Sequence, residues 1–496
     1  MKVAFVTPEL LSLVRRTNLA GVAESLSQAL RVSGVDIRVF LPRTRDVDPG
    51  LLSEVLPLCS LEVPDGQSRR TFKILGGSLR DLPVYLFENE SLFGTRHPYG
   101  DQEGPYPDNW RRYALFARAV LASLPELEFE PDILHCLDWT TGLVPVYHQI
   151  DYLDRGRDHP ASRAGTYFAI HNLAMQGTFE REILPHIGIP HRQFRHVGGL
   201  ELGGKVNYLK GGAEFATVIG THSASHALKI QEKDRGYGLE ETFQRRKKEL
   251  VGITNGIDYH SWDPSTDPVL PATYSAADKD LTGKRRCKAR LQETLKLDSG
   301  PRTPVACSVG RWDADSGFDL LAEILTEVLE RGVELVVMGT GQPDIQQRLQ
   351  TMEGTFMGRC RVVDGYHPRS AHLIMAGSDI LLLPSHYQPS NSLFAVAMRY
   401  GAAPLVYSHS GLEDAVVDVL KNPDEGTGFH FEPYTSDGLM VGIEAAVKHY
   451  KNASNWKAMI KRCLAQDFSW ESTAGEYLKA YRRVTRRTRG RRDGRG

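Results

Sequence analysis

His222 and His226 are four residues apart, a spacing that would place both on one helix face and could hold a metal. The string His-Ser-Ala-Ser-His lacks the glutamate of a zinc protease, so it reads as a surface or packing pair. Gly339-Thr340-Gly341 follows an apolar run and could begin a loop that cradles a dinucleotide. Asp344 stands where the third glycine is needed, so a tight turn is expected instead. Six cysteines, at 59, 136, 287, 307, 360 and 463, form no Cys-x-x-Cys pair. They predict neither zinc nor a disulfide framework, but a reduced, cytoplasmic compartment. The remaining candidates are cations. From Arg482 to Gly496 there are eight arginines and one aspartate, a local charge of +7 that leaves -8 on the rest of the chain. This tail is read as a solvated, frayed end rather than a polyanion contact.

The elements that would position any site follow a regular rhythm. Val3–Thr7 is a short apolar run suited to a strand buried on both faces of a parallel sheet. A helical pattern follows, with Leu19, Val22, Leu26 and Leu30 on one side and Gly34 at its end. Ile37–Leu41, Ile133–His135, Thr166–Ile170 and Val218–Ile219 continue the strand series. After residue 300 it restarts with Val305–Val309, Leu335–Met338, Arg361–Val363, Ile380–Leu383 and Ala403–Val406. Strands alternating with helices imply parallel, doubly wound sheets. Two such series, separated by a polar stretch near 263–300, imply two Rossmann-like domains with a ligand site at the strand C-termini.

Composition bounds the partners. The 496 residues carry 60 Lys and Arg against 61 Asp and Glu, a formal charge of -1, which argues against a dedicated nucleic-acid binder. Hydrophobic residues make up 41%, enough for deep cores. No stretch approaches the ~20 apolar residues that cross a bilayer.

Several blocks occur together in a characteristic order. They are Ile170-His171-Asn172-Leu173-Ala174-Met175-Gln176-Gly177, Val206-Asn207-Tyr208-Leu209-Lys210-Gly211-Gly212, and Gly252-Ile253-Thr254-Asn255-Gly256-Ile257-Asp258. Trp262-Asp263-Pro264-Ser265-Thr266-Asp267-Pro268, Pro384-Ser385 through Tyr400-Gly401, and Asp467-Phe468-Ser469-Trp470 complete them. In this order the chain resembles bacterial glycogen synthases and plant starch synthases over about residues 1–485. The resemblance implies an α/β fold of GT-B type, two Rossmann-like domains facing a cleft. It divides the chain into 1–255 on the acceptor side, 256–470 on the nucleotide-sugar side, a helix at 471–485 crossing back, and a disordered basic tail at 486–496. It also implies retaining transfer of glucose from ADP-glucose, or sometimes UDP-glucose, to an α-1,4-glucan, with no metal or cofactor.

Such chemistry needs fixed positive charge at a departing diphosphate and polar partners for the sugar hydroxyls. By the resemblance, Asp138 and His171 match the sugar-contacting pair, and Asn255 a donor-site asparagine. Arg15 and Arg311 match donor-site cations, and Tyr366 an aromatic near the base. Other positions depart from the pattern. Thr17 and Asn18 replace two glycines, and Gly21 an aspartate. Ser316 replaces a lysine, beside the added carboxylates Asp313 and Asp315. Gln388 replaces the family's glutamate, Asn391 a glycine, and His409-Ser410 a Thr-Gly.

Three functions follow from this mixture. The chain is an active glucosyltransferase with relaxed requirements, a non-catalytic paralogue that binds glucan or nucleotide sugar and pairs with an intact synthase, or a transferase with a changed donor. The clustering of lost charges favours weak or absent activity in this chain.

Overall fold

The structure is a computed structural model that describes every residue except 157, 299, 388–391 and 493–496, and the side chains of 491 and 492 likewise. The chain divides into two compact units, Met1–Asn255 with Trp470–Gly496, and Gly256–Ser469. Among the described residues, no helix is long and apolar enough to cross a membrane.

The first unit is built on strands β1 (Lys2–Val6), β2 (Asp36–Pro42), β3 (Ser53–Asp65), β4 (Ser68–Leu79), β5 (Leu82–Glu88), β6 (Ile133–Leu137), β7 (Gly165–Ile170), β8 (Val218–Thr221) and β9 (Leu250–Gly252). They form one sheet in the order β9-β8-β7-β6-β1-β2-β5-β4-β3. All pairs are parallel except β3 with β4 and β4 with β5. β1, β6 and β7 are buried along almost their whole length, as strands covered on both faces must be. The order reverses between β1 and β6, where Val3 pairs with both Ile37 and Ile133. That reversal opens a crevice beyond the strand C-termini.

Helix α1 (Leu19–Val32) buries Leu19, Leu26 and Leu30 and ends at Gly34, in the left-handed region at φ 84°. Val22 is half-buried. The antiparallel β3–β4 hairpin has no counterpart in the strand series read from sequence. Pro57 and Pro64 interrupt its apolar alternation, and the pairing register shifts twice near its outer end. Its position at the sheet edge, where a missing N–H costs no ladder bond, accommodates both prolines.

The closing helix, Trp470–Arg492, also packs on this unit. Trp470, Ala474, Tyr477, Tyr481 and Val484 recur every three or four residues and are buried against the sheet. The expectation of a disordered tail from residue 486 is corrected here, because the helix runs on to Arg492. Two of its arginines are held from the sheet side, which stabilises the extra turns. Arg487 pairs with Glu249 at 2.6 Å, and Arg483 donates to the Lys248 carbonyl.

The second unit carries a six-stranded parallel sheet. Its strands are β10 (Val305–Trp312), β11 (Glu334–Gly341), β12 (Cys360–Asp364), β13 (Ile380–Leu383), β14 (Ala403–Tyr407) and β15 (Phe429–Phe431). Their order is β12-β11-β10-β13-β14-β15, so the reversal here lies between β10 and β13. Gly339 and Gly341 are where β11 runs tight against β10. A Cβ at Gly339 would sit 1.8 Å from the Gly310 carbonyl oxygen, and one at Gly341 2.1 Å from that of Trp312. The Gly-Thr-Gly string therefore serves strand packing.

Candidate functional site

In the first unit the chain leaves β1 and turns at Thr7, whose hydroxyl donates to the Glu9 carbonyl at 2.9 Å. Glu9 is fully buried. Its carboxylate accepts from the backbone N–H of Arg16 and Thr17 at 2.5 and 2.8 Å, from the Thr17 hydroxyl at 2.8 Å, and from the Tyr99 phenol at 2.5 Å. One carboxylate thus closes the 9–17 loop and ties it to a second segment. That segment is fixed by Arg112, whose buried guanidinium donates to the carbonyls of Leu92, His97 and Pro98 at 2.7 to 2.9 Å. Burial, and then the neighbouring Glu9 charge, push the Tyr99 phenol well up, so it stays protonated.

Arg15 is exposed on this loop, whereas Arg16 makes a bidentate pair with Asp46 at 2.9 to 3.1 Å. A Cβ built at Gly21 meets nothing within 4 Å, so packing does not exclude an aspartate there.

Asp138 follows β6 with φ +53°, a strained conformation for a residue with a Cβ. Its Oδ1 accepts from the backbone N–H of His171 and Asn172 at 2.7 and 3.2 Å. Its carboxyl is pushed up to about 7, chiefly by burial, with the two N–H donors opposing the rise and the Glu9 charge adding to it. His171 follows β7, and burial lowers its imidazole to about 4, so the ring is neutral at pH 7. Both of its ring nitrogens are buried without a hydrogen-bond partner among the described residues.

His222 follows β8, its ring centroid 6.0 Å from that of His171 and 4.2 Å from that of His226. Both His222 nitrogens also lack a partner among the described residues. His226 bonds to the Thr221 hydroxyl at 2.5 Å. The pair is buried, so it packs inside the unit and does not lie on its surface. Asn255 closes this unit with a buried, unpartnered Oδ1. Buried polar atoms without partners are uncommon, and these three residues cluster at strand ends where a polar group could meet them.

In the second unit Arg311 ends β10 with its side chain 81% exposed and its Nε 3.1 Å from Asp313 Oδ2. The other Asp313 oxygen accepts from the Ser316 N–H at 2.9 Å. Gly317 follows at φ +73°, where a Cβ would lie 2.1 Å from the Pro384 carbonyl oxygen. The loops after β10 and β13 therefore touch. Ser385 donates to the Ser316 carbonyl at 3.5 Å. Tyr366, beyond β12, is 58% exposed. His409, beyond β14, lies 3.7 Å from Glu432. Gln388 and Asn391 lie outside the described residues.

The structure thus brings Asp138 to the backbone of His171, and Arg311 and Ser316 onto one carboxylate. Glu9 was missed in the sequence, where it reads only as the polar residue ending an apolar strand. Its signal was a lone carboxylate at the C-terminus of a doubly buried strand. Among the described residues, no group of three or more His, Cys, Asp or Glu could hold a metal ion.

Comparison with known proteins gives consistent matches. A family model for the starch synthase catalytic domain matches residues 2–245, and one for glycosyl transferases group 1 matches residues 303–449. Glycogen synthase from Geotalea uraniireducens is 38% identical over 97% of this chain and 98% of that protein. Glycogen synthase 2 from Geobacter sulfurreducens is 37% identical over 99% and 100%. Among solved structures, the catalytic domain of starch synthase IV from Arabidopsis thaliana, bound to ADP and acarbose, superposes with a TM-score of 0.83 at 29% identity. That match covers 98% of this chain and 99% of the other.

Proposed function

The chain belongs to the glycogen and starch synthase family and has its GT-B fold, and from that premise we propose that it binds α-1,4-glucan and a nucleotide sugar while transferring glucose weakly or not at all. Its role is then to hold glucan beside a competent synthase.

One observation carries this reading, the Asp313 carboxylate set between Arg311 and the Ser316 N–H. Glucosyl transfer breaks the bond between the sugar C1 and the diphosphate oxygen, and negative charge grows on the departing diphosphate. Cations at that point contribute most to the rate. Arg311 is the one cation of segment 311–317, and its guanidinium is already paired with an anion. A diphosphate arriving there meets the Asp313 carboxylate, and Ser316 stands where the family supplies a lysine. Losing one preorganised charge of this kind costs on the order of a hundredfold to a thousandfold in rate.

The sugar side retains what binding requires. A neutral His171 can donate from one ring nitrogen and accept at the other, and Asp138 can accept from a hydroxyl. Purified protein should incorporate labelled glucose from ADP-glucose into glycogen far below about one turnover per second. It should still co-sediment with glycogen when Arg311 is replaced by alanine. Turnover at ordinary enzyme rates overturns the reading. Rescue of transfer by Ser316→Lys combined with Gln388→Glu would locate the defect.

A further inference from the structure

The second unit holds a cavity of about 590 Å³ at the opposite ends of β10 and β13 from Arg311. Its wall comes from Arg302 before β10, Asp379 before β13, helix α2 (Thr282–Leu295), and the junction between α3 (Ser436–Tyr450) and α4 (Ala453–Ala465). β10 has eight residues, so at ~3.3 Å per residue about 25 Å of strand separates the cavity from the Arg311 end.

The lining is strongly cationic, with six lysines and arginines against two aspartates. Both aspartates are already committed, and Asp280 pairs with Lys457 at 3.3 Å. Asp379 accepts from Lys288 at 2.6 Å and from the Val305 N–H at 2.9 Å. Lys284 is buried in a cage of carbonyls, donating to Ala376, Ser378 and Tyr400 at 2.9 to 3.2 Å. No carboxylate of the described residues lies within ion-pair distance of Lys284, Arg302 or Lys451. Cations gathered around one recess raise a positive potential that hydrogen bonds to carbonyls do not cancel.

The volume falls in the range of small-molecule sites, roughly 300–1,000 Å³. Trp456 and Tyr450, with ring centroids 5.0 Å apart, give it an apolar side. Trp456 is only 8% exposed, so it offers no open face on which a glucan could stack.

We propose that this cavity is a second ligand site, separate from the donor site, that takes a small phosphorylated metabolite. The phosphate meets Arg302 and Lys451 at the rim, and the organic body lies against Tyr450 and Trp456. Several unneutralised cations around one recess suit a dianionic phosphate, which can accept from two or three of them at once. The inference goes beyond the proposed glucan binding and does not depend on it.

The test is calorimetric titration of the full chain with inorganic phosphate, a hexose monophosphate and adenosine monophosphate. It uses wild type, Arg302→Glu with Lys451→Glu, and Arg311→Ala. Both charge-reversed residues are exposed, and thermal melts confirm folding. At least one ester should bind more tightly than inorganic phosphate, and which one identifies the organic body. Its affinity should fall about tenfold or more in the double variant and stay unchanged in Arg311→Ala. Binding lost in Arg311→Ala but kept in the double variant would place the ligand at the donor strand ends and overturn the proposal. Equal affinity for all three anions, or none at millimolar concentration, would overturn it as well.

Discussion

Replacing Asp313 with asparagine tests the donor reading most directly. The substitution removes the charge but keeps an oxygen to accept from the Ser316 N–H, a bond now 2.9 Å long. The Arg311–Asp313 pair has little to lose in stability, because an ion pair whose arginine is 81% exposed contributes under about 1 kcal/mol. The effect on a diphosphate is larger. Arg311 would hold a phosphate oxygen at about 2.8 Å, and Asp313 already sits 3.1 Å from its Nε. The carboxylate is then about 6 Å from the phosphate charge. Coulomb repulsion at that distance is about 0.7 kcal/mol at the dielectric of water and about 2.8 kcal/mol at an effective value of 20. Their geometric mean, about 1.4 kcal/mol, corresponds to about tenfold. ADP should therefore bind Asp313→Asn about tenfold more tightly than wild type at low ionic strength. The ratio should shrink as salt screens the pair. Equal ADP affinities at low salt would refute the argument, and so would a stability loss above about 2 kcal/mol, since the loop would then depend on the ion pair.

Two further outcomes follow from the geometry. Asp138 has a folded-state carboxyl raised from the ordinary 3.8 to about 7, so the protonated form is favoured in the folded chain and stability falls as pH rises through that window. Asp138→Asn, which keeps an acceptor for His171 and Asn172, should match wild type near pH 3.5. It should exceed wild type by up to about 4 kcal/mol at pH 8, at 1.36 kcal/mol per pH unit; urea melts showing the same difference at both pH values would count against it. Gly339→Ala would place a Cβ 1.8 Å from the Gly310 carbonyl and should cost about 3 kcal/mol or more. A variant of normal stability that has lost only nucleotide affinity would restore the Gly-Thr-Gly string as a ligand loop.

The parallel strands were legible because a doubly buried strand is a dense apolar run, and Val3–Thr7 or Ile380–Leu383 can be little else. The β3–β4 hairpin was not, since half of each strand faces solvent and two prolines break the alternation that would reveal it. The helical course of 486–492 was hidden because arginines report solvent. Only the contact of Arg487 with Glu249, distant in sequence, ties these turns to the sheet side. At the site, residue types showed which charges had gone, but not where those remaining would point. Asp313 read as an added carboxylate. That it takes both the Arg311 guanidinium and the Ser316 N–H required coordinates.

The candidate site residues of the two units differ in how they are partnered. In the first, Asp138 is held at a positive φ with its carboxyl raised to about 7. His171, His222 and Asn255 leave buried nitrogens or oxygens without partners among the described residues. Each is unfavourable in the empty fold, because an unmade buried hydrogen bond costs about 1–3 kcal/mol. Apolar residues of similar size would relieve most of that penalty. In the second unit, the Trp312 indole nitrogen is likewise buried without a partner among the described residues, but the charge of Arg311 is paired. Asp313 satisfies both Arg311 and the Ser316 N–H. A donor loop built for catalysis should repel itself when empty, because two clustered cations are neutralised only by the arriving diphosphate. This loop is neutralised from within. On the proposed reading, the unpartnered polar groups of one unit and the paired arginine of the other both favour holding sugar over expelling a diphosphate.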